Sequence, residues 1–79
     1  MTEKILRSFK AGDTGIVKKV TGEKRVRRRL FDMGITPGTE IRLLKTAPLG
    51  DPLELSLRGY RLSIRKAEAD EILMDVINI

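Results

Sequence analysis

Residues 53 to 64, LELSLRGYRLSI, constrain the fold of this chain more than any other stretch. Apolar and polar side chains alternate in both halves, which is the period of a β-strand with one buried face. Arg58 and Gly59 separate the two halves, and a two-residue connection that contains glycine is typical of a β-hairpin. The sequence therefore predicts an antiparallel hairpin that turns at Arg58-Gly59. Its apolar positions are Leu53, Leu55, Leu57, Tyr60, Leu62 and Ile64.

A second local pattern predicts a helix over about residues 23 to 33. Its apolar residues recur at the spacing i, i+4, i+7, which forms one stripe along a helix. Gly34 follows where a left-handed C-terminal cap favours a residue without Cβ, and Pro37 prevents continuation. We expect Thr21 or Gly22 to cap the start. The stripe consists of Val26, Leu30 and Met33.

Three further segments are short, apolar and bounded by turn residues, so they predict strands. Together with the hairpin they give about five strands and one substantial helix. Small all-β chains avoid open sheet edges by closing into a barrel. We therefore expect a mainly β fold, a small, partly open SH3-like barrel with one inserted α-helix, in a single domain spanning residues 1–79. The three segments are GIVKKVTG at 15–22, TEIRLLKT at 39–46 and ILMDVINI at 72–79.

The composition argues against most catalytic and metal-binding chemistry. The chain contains neither Cys nor His, which are the usual ligands of tightly held transition metals. Without imidazole, Ser8, Ser56 and Ser63 have no ordinary base to activate them. We therefore expect no catalytic residues, no metal ligands and no intrinsic cofactor. The absence of Cys and of any apolar run near the ~20 residues of a membrane span indicates a soluble intracellular protein.

Positive charge is concentrated in the predicted helix. The formal net charge is +5, and residues 24 to 29 hold five basic side chains. A basic excess suggests anionic partners such as nucleic acid or a membrane surface. The arginines fall away from the apolar stripe, so the run is either a solvated helix face or a surface that docks on acidic protein. Single-strand binders need aromatic platforms between their basic residues, and no nucleic-acid partner is expected.

Three segments, taken in order, resemble the FeoA family, the small cytosolic component of bacterial ferrous iron uptake. They are Leu30 to Gly38 (LFDMGITPG), Ala47 to Pro52 (APLGDP) and Arg58 to Arg65 (RGYRLSIR). The resemblance covers nearly the whole chain. It implies an SH3-like barrel with an inserted helix, and a role beside FeoB, the membrane permease with a cytosolic GTP-binding domain. A similar domain occurs at the C-terminus of some iron-dependent repressors.

The resemblance leads to two function hypotheses. The first is a non-enzymatic cytoplasmic accessory of ferrous iron uptake that docks on and modulates a FeoB-type permease, and so associates with the membrane through it. Fe(II) is then the ion of the transport system. The alternative is a nucleic-acid-binding or repressor-associated SH3-like barrel. The oligomeric state, a homo-oligomer included, is left open.

The loop at residues 47–52, APLGDP, is the best candidate for recognition. It carries an outward Leu49 with prolines on both sides, and loops on a rigid scaffold often bind partners. The docking hypothesis predicts an apolar-centred patch for the cytosolic part of the permease. In the rival interpretation, Leu49 and Tyr60 simply close the barrel mouth. The proposed patch has Leu49, Asp51 and Tyr60 at its centre and Phe31 and Arg28 at its rim.

Overall fold

Six antiparallel strands form one sheet in the computed structural model, which describes residues 2–77. The sheet order is β1-β6-β2-β3-β4-β5. A 3₁₀ turn at Leu6–Ser8 follows the first strand, and two helices connect later ones: α1 at Lys24–Asp32 and α2 at Lys66–Ala69. The strands are β1 (Thr2–Ile5), β2 (Thr14–Val20), β3 (Glu40–Thr46), β4 (Leu53–Leu57), β5 (Tyr60–Ile64) and β6 (Ile72–Ile77).

The predicted hairpin is confirmed in its strands, register and turn. Leu53 pairs with Ile64 at one end and Leu57 pairs with Tyr60 at the other. Both turn residues have positive φ, +49° at Arg58 and +83° at Gly59, which matches the right-handed twist of the flanking strands. The hairpin is therefore specified locally, by alternation and by its turn.

Helix α1 lies where the apolar stripe predicts it. Leu30 is fully buried, while Val26 and Met33 are half-buried and pack against the core. Gly34 has a φ of +90°, and its N–H donates to the carbonyl oxygen of Phe31 at 2.9 Å. The predicted C-terminal end of the helix is therefore confirmed.

The predicted N-cap of α1 is wrong. The capping position is occupied by Glu23, whose side chain makes no cap hydrogen bond. Thr21 instead donates its hydroxyl to the carboxylate of Glu71 at 3.1 Å, and its N–H to the carbonyl oxygen of the same residue at 2.8 Å. Contacts with the segment before β6 therefore determine how the chain enters the helix.

The sheet has one strand more than the sequence predicts. β1 pairs with β6, from Thr2 opposite Val76 to Ile5 opposite Leu73. All four of its residues are exposed, so no alternation marks the strand in the sequence. The segment predicted to close the fold, 72–79, forms β6 up to Ile77, and its last two residues lie outside the described range. Within residues 2–77, no helix is long and apolar enough to cross a membrane.

The core is aliphatic and lies between the curved sheet and α1. Its fully enclosed members come from every strand except β1, from the 3₁₀ turn, from α1 and from the segment after α1. A small protein with three aromatic residues gains its stability chiefly from such burial. The largest fully buried side chains are Leu6, Val17, Leu30, Ile35, Ile41, Leu43, Leu53, Leu55, Ile64, Ile72 and Met74.

Candidate docking site

The loop between β3 and β4 holds the most exposed large apolar side chain in the described range. Leu49 is 91% exposed. Two backbone hydrogen bonds close the loop beneath it: Ala47 N–H to the Pro52 carbonyl oxygen at 3.1 Å, and Gly50 N–H to the Ala47 carbonyl oxygen at 2.7 Å. Leu49 therefore projects from a braced loop, and it does not cover the barrel mouth as the rival interpretation predicts.

Asp51, on the same loop, has a structural partner. Its Oδ1 accepts a hydrogen bond from the N–H of Lys66 at 3.1 Å. Lys66 is the first residue of α2, and such N–H groups at a helix start have no partner within the helix. Asp51 thereby connects the loop to the start of α2.

Tyr60 lies at the far end of the hairpin and contacts α1. Its side chain is 43% exposed, and its hydroxyl donates to the carbonyl oxygen of Met33 at 2.5 Å. A Cβ added at Gly34 would lie only 2.6 Å from the Tyr60 hydroxyl oxygen. Tyr60 is thus partly a packing residue, as the rival interpretation of the barrel mouth predicts for it.

The strand register separates Leu49 from Tyr60. The loop that carries Leu49 joins β4 at Leu53, whereas Tyr60 pairs with Leu57 at the hairpin tip. Four residues of strand at about 3.3 Å each place the two ends about 13 Å apart. Met33 connects them, because it lines a shallow groove with Asp51 and accepts the Tyr60 hydrogen bond.

That groove contains an ion pair between α1 and α2. Arg29 Nη2 lies 2.7 Å from Glu68 Oε2, and Glu68 Oε1 accepts from the Arg65 N–H at 2.8 Å. Glu68 is only 9% exposed. The two residues are 39 positions apart, and the signal in the sequence is the opposite charge of the basic run at 24–29 and the acidic run at 68–75, which predicts that the two segments could attract each other. The pair fixes α1 against α2 beside the loop. Both carboxylate oxygens are engaged, so we assign this groove no reaction.

Phe31 and Arg28 lie on the outer face of α1, away from the core. Phe31 is 42% exposed and Arg28 is exposed. The two line one shallow concavity with Lys24 and Arg27. These four positions follow the spacing i, i+3, i+4, i+7, so the helical period could have grouped them. The arginine run is exposed, as both the solvated-face and the docking-surface interpretations predict, and Arg29 is the member of the run that is bound to a carboxylate.

Metal ligation has little support in the described residues. Across 2–77, no three acidic side chains cluster in a way that could hold an ion. Carboxylates are the remaining side-chain ligands of a chain without His or Cys.

Comparison with known proteins identifies the domain. The FeoA domain family model matches residues 5–76. The solution structure of a FeoA-like protein from Clostridium acetobutylicum is 45% identical, with a TM-score of 0.90 over all of this chain and 93% of that one. A FeoA of Stenotrophomonas maltophilia complexed with zinc, described as an SH3 domain protein, is 26% identical. Its TM-score is 0.75 over 89% of this chain and 87% of that one.

One relative and one protein of similar fold are longer chains. An Fe(2+) transport protein A/transporter FeoB fusion protein of Porphyromonas gingivalis is 30% identical over 92% of this chain, which spans only 9% of that relative. A manganese-dependent transcriptional repressor shares the fold alone, at 18% identity and a TM-score of 0.90 over 98% of this chain and 38% of that one. On the family match and the SH3-like fold together, this chain belongs to the FeoA family.

Proposed function

We propose that this protein is a non-enzymatic cytoplasmic accessory of ferrous iron uptake, which docks on a FeoB-type GTP-binding permease and modulates it. Family membership supports the transport role. A relative in which a FeoA and a FeoB share one chain supports the partner, because fusion holds two domains at high effective concentration. Fe(II) is the ion that the system transports. No cofactor of this protein takes part.

The observation that carries the docking proposal is the exposure of Leu49 on a braced loop. A single exposed leucine is common on protein surfaces and needs no explanation by itself. Here the side chain is 91% exposed, while hydrogen bonds of Ala47, Gly50 and Asp51 hold the backbone around it. A loop whose backbone is held in place before binding loses little backbone entropy when a partner covers the side chain that it carries. Leu49 is therefore the proposed anchor.

The other proposed contact residues surround the C-terminal end of α1. Asp51 lines the groove together with Met33, and Tyr60 hydrogen-bonds to the carbonyl oxygen of Met33. Phe31 and Arg28 occupy the outer face of the helix. A protein interface covers about 800 Å² of each partner, so one interface can span the length of strand, about 13 Å, that separates the end of the loop at Leu53 from the hairpin tip at Tyr60. Charged residues at the rim act mainly on the association rate.

A membrane pull-down tests the partner. Tagged protein is mixed with solubilised membranes from cells with and without the FeoB-type permease, and the captured permease is quantified. We expect retention of the permease from the first preparation. The Leu49→Met variant should retain it and Leu49→Asp should not, with both variants folded. If the wild-type protein failed to retain the permease, the result would contradict the proposal.

Two observations favour the alternative, a nucleic-acid-binding or repressor-associated module. A repressor contains the same fold, and the basic run of α1 is exposed. Binding to duplex DNA should be titrated with salt, because phosphate contacts weaken steeply as salt rises. We expect no specific complex at physiological salt. A specific complex with a steep salt slope would favour the alternative.

A further inference from the structure

The outer face of α1 carries positive charge around one exposed aromatic ring. Lys24, Arg27, Arg28 and Phe31 lie on one side of the helix, roughly 60° to 160° around its axis from the buried Leu30 at the period of 3.6 residues per turn. We call these four residues the outer face. They line one shallow concavity, and the nine-residue helix is about 13 Å long. The outer face is thus a short, nearly flat strip.

The cations of the outer face form no ion pair with any residue in the range 2–77. Of the arginines of α1, Arg29 forms the ion pair, with Glu68. In the described part of the chain, no carboxylate oxygen lies within 4.0 Å of the side-chain nitrogens of Lys24, Arg27 or Arg28. Glu23 and Asp32 flank the strip at its two ends. The protein therefore presents three free cations and an aromatic ring to one side.

We infer that the outer face binds the surface of an anionic phospholipid bilayer. Lys24, Arg27 and Arg28 would contact headgroup phosphates, while Phe31 enters the interfacial layer. Clusters of Lys and Arg on one helix face are the pattern that anionic lipid surfaces attract. An aromatic ring beside them suits the boundary between headgroups and acyl chains.

The shape and composition of the strip favour a bilayer over other anions. A single aromatic ring gives no series of platforms on which nucleic-acid bases could stack. The outer face has no deep pocket for a protein anchor, and an extended planar anion can contact all three cations together. The proposed function places the protein beside a membrane permease, and lipid binding itself does not depend on that function.

The geometry allows lipid and permease to be bound together when Arg28 and Phe31 contact the lipid and the permease contacts the loop side of the docking patch, at Leu49 and Asp51. The loop that carries Leu49 and the groove containing Asp51 meet α1 on its Arg29 and Met33 flank. The outer face lies on a different side of the same helix. With α1 lying along the membrane, that flank stays accessible to a neighbouring protein, so lipid contact orients the loop toward the permease.

Binding of the full chain to vesicles tests this directly, with no permease present. Vesicles of phosphatidylcholine alone are compared with vesicles containing phosphatidylglycerol, in a sedimentation assay at low and physiological salt. We expect binding only to the anionic vesicles, weakening as salt rises. Equal binding to both compositions, or none to either, would overturn the inference.

Two triple variants that lose the same charge distinguish binding by the outer face from nonspecific attraction of the protein's net positive charge to the vesicles. One carries Lys24→Gln, Arg27→Gln and Arg28→Gln. The control carries Lys10→Gln, Lys19→Gln and Arg61→Gln, at exposed positions outside the ion pairs of the described residues. Each removed contact should weaken partitioning about fivefold, so the first variant should lose on the order of a hundredfold and the control far less. Equal losses would show attraction to net charge alone and overturn the inference.

Because the chain contains no tryptophan, a single tryptophan can report which side meets the lipid. Phe31→Trp should shift its emission to shorter wavelength when anionic vesicles are added. Leu49→Trp, on the loop, should not shift. The reverse result would assign lipid contact to the loop and overturn the inference. If the outer face captured an acidic protein and the protein did not bind vesicles, the inference would also be overturned.

Discussion

The hydroxyl of Tyr60 donates a hydrogen bond to the carbonyl oxygen of Met33, 2.5 Å away. This contact joins the tip of the β4–β5 hairpin to the C-terminal end of α1. The last carbonyl groups of a helix lack partners within it, so Tyr60 satisfies one of them. The hairpin therefore helps to position the helix that borders the groove and carries the outer face.

Removing that hydroxyl should loosen the end of α1. Tyr60→Phe keeps the ring and its packing but loses the donor to Met33. We expect the free energy of unfolding to fall by about 0.5–1.5 kcal/mol, the usual contribution of one such bond. Chemical denaturation measures this value. An unchanged stability would show that the contact does not hold the helix.

Gly34 and Gly38 form a matched pair for testing the space at the helix end. Both have positive φ, +90° and +93°, so alanine is strained at either by roughly 1–2 kcal/mol. At Gly34 the new Cβ would also lie 2.6 Å from the Tyr60 hydroxyl, whereas nothing lies within 4 Å at Gly38. Gly34→Ala should therefore lower the melting temperature more than Gly38→Ala. Equal decreases in melting temperature would mean that backbone strain alone destabilises both variants.

The elements that the sequence predicts well are those determined by local pattern. The hairpin follows from alternation and a two-residue turn. The helix follows from its stripe and from Gly34. β1 could not be predicted, because its residues are all exposed and it exists only by pairing with β6, which is more than 60 positions away in the chain.

In the candidate site, too, features that depend on local sequence could be predicted and contacts between distant segments could not. The exposure of Leu49 could be predicted from the prolines around it, and Phe31 from its place off the stripe. The contacts that position these residues could not be predicted, because each joins distant segments. Asp51 meets Lys66, and Tyr60 meets Met33. Whether Leu49 and Tyr60 share a patch depends on strand register, which places them at opposite ends of one hairpin.

Replacing Arg29 by alanine and replacing Glu68 by alanine should lower the free energy of unfolding by different amounts. Arg29 has a mostly exposed side chain, 64% against 12% for Glu68, so Arg29→Ala should cost at most about 1 kcal/mol. Glu68→Ala also leaves the Arg65 N–H without its acceptor and should cost about 1–3 kcal/mol. Denaturation of the single and double variants gives the coupling. A larger loss for Arg29→Ala would contradict this account of the groove.

Lys18 provides a prediction about pH. The carboxylate of Glu3 hydrogen-bonds its ammonium group and raises the pKa of Lys18 above the ordinary 10.5. A raised pKa in the folded state means that the pair stabilises the protein fully below that ordinary value and that the contribution is lost as pH rises through the raised pKa. Glu3→Gln should return the pKa of Lys18 toward 10.5, as followed by NMR of its side chain. Asp75→Asn should move it less, because Asp75 contributes least to the shift. A larger effect of Asp75→Asn would contradict this assignment.

The affinity of the purified protein for the FeoB-type permease, titrated for three forms, tests the docking proposal most directly. Leu49→Met keeps an apolar side chain on the same braced loop, and Leu49→Asp replaces it with a charge. Because Leu49 is 91% exposed, neither change should alter the melting temperature by more than a surface substitution does. The account predicts near-normal affinity for Leu49→Met and loss of at least tenfold, about 1.4 kcal/mol, for Leu49→Asp. Wild-type affinity in a folded Leu49→Asp protein would contradict it.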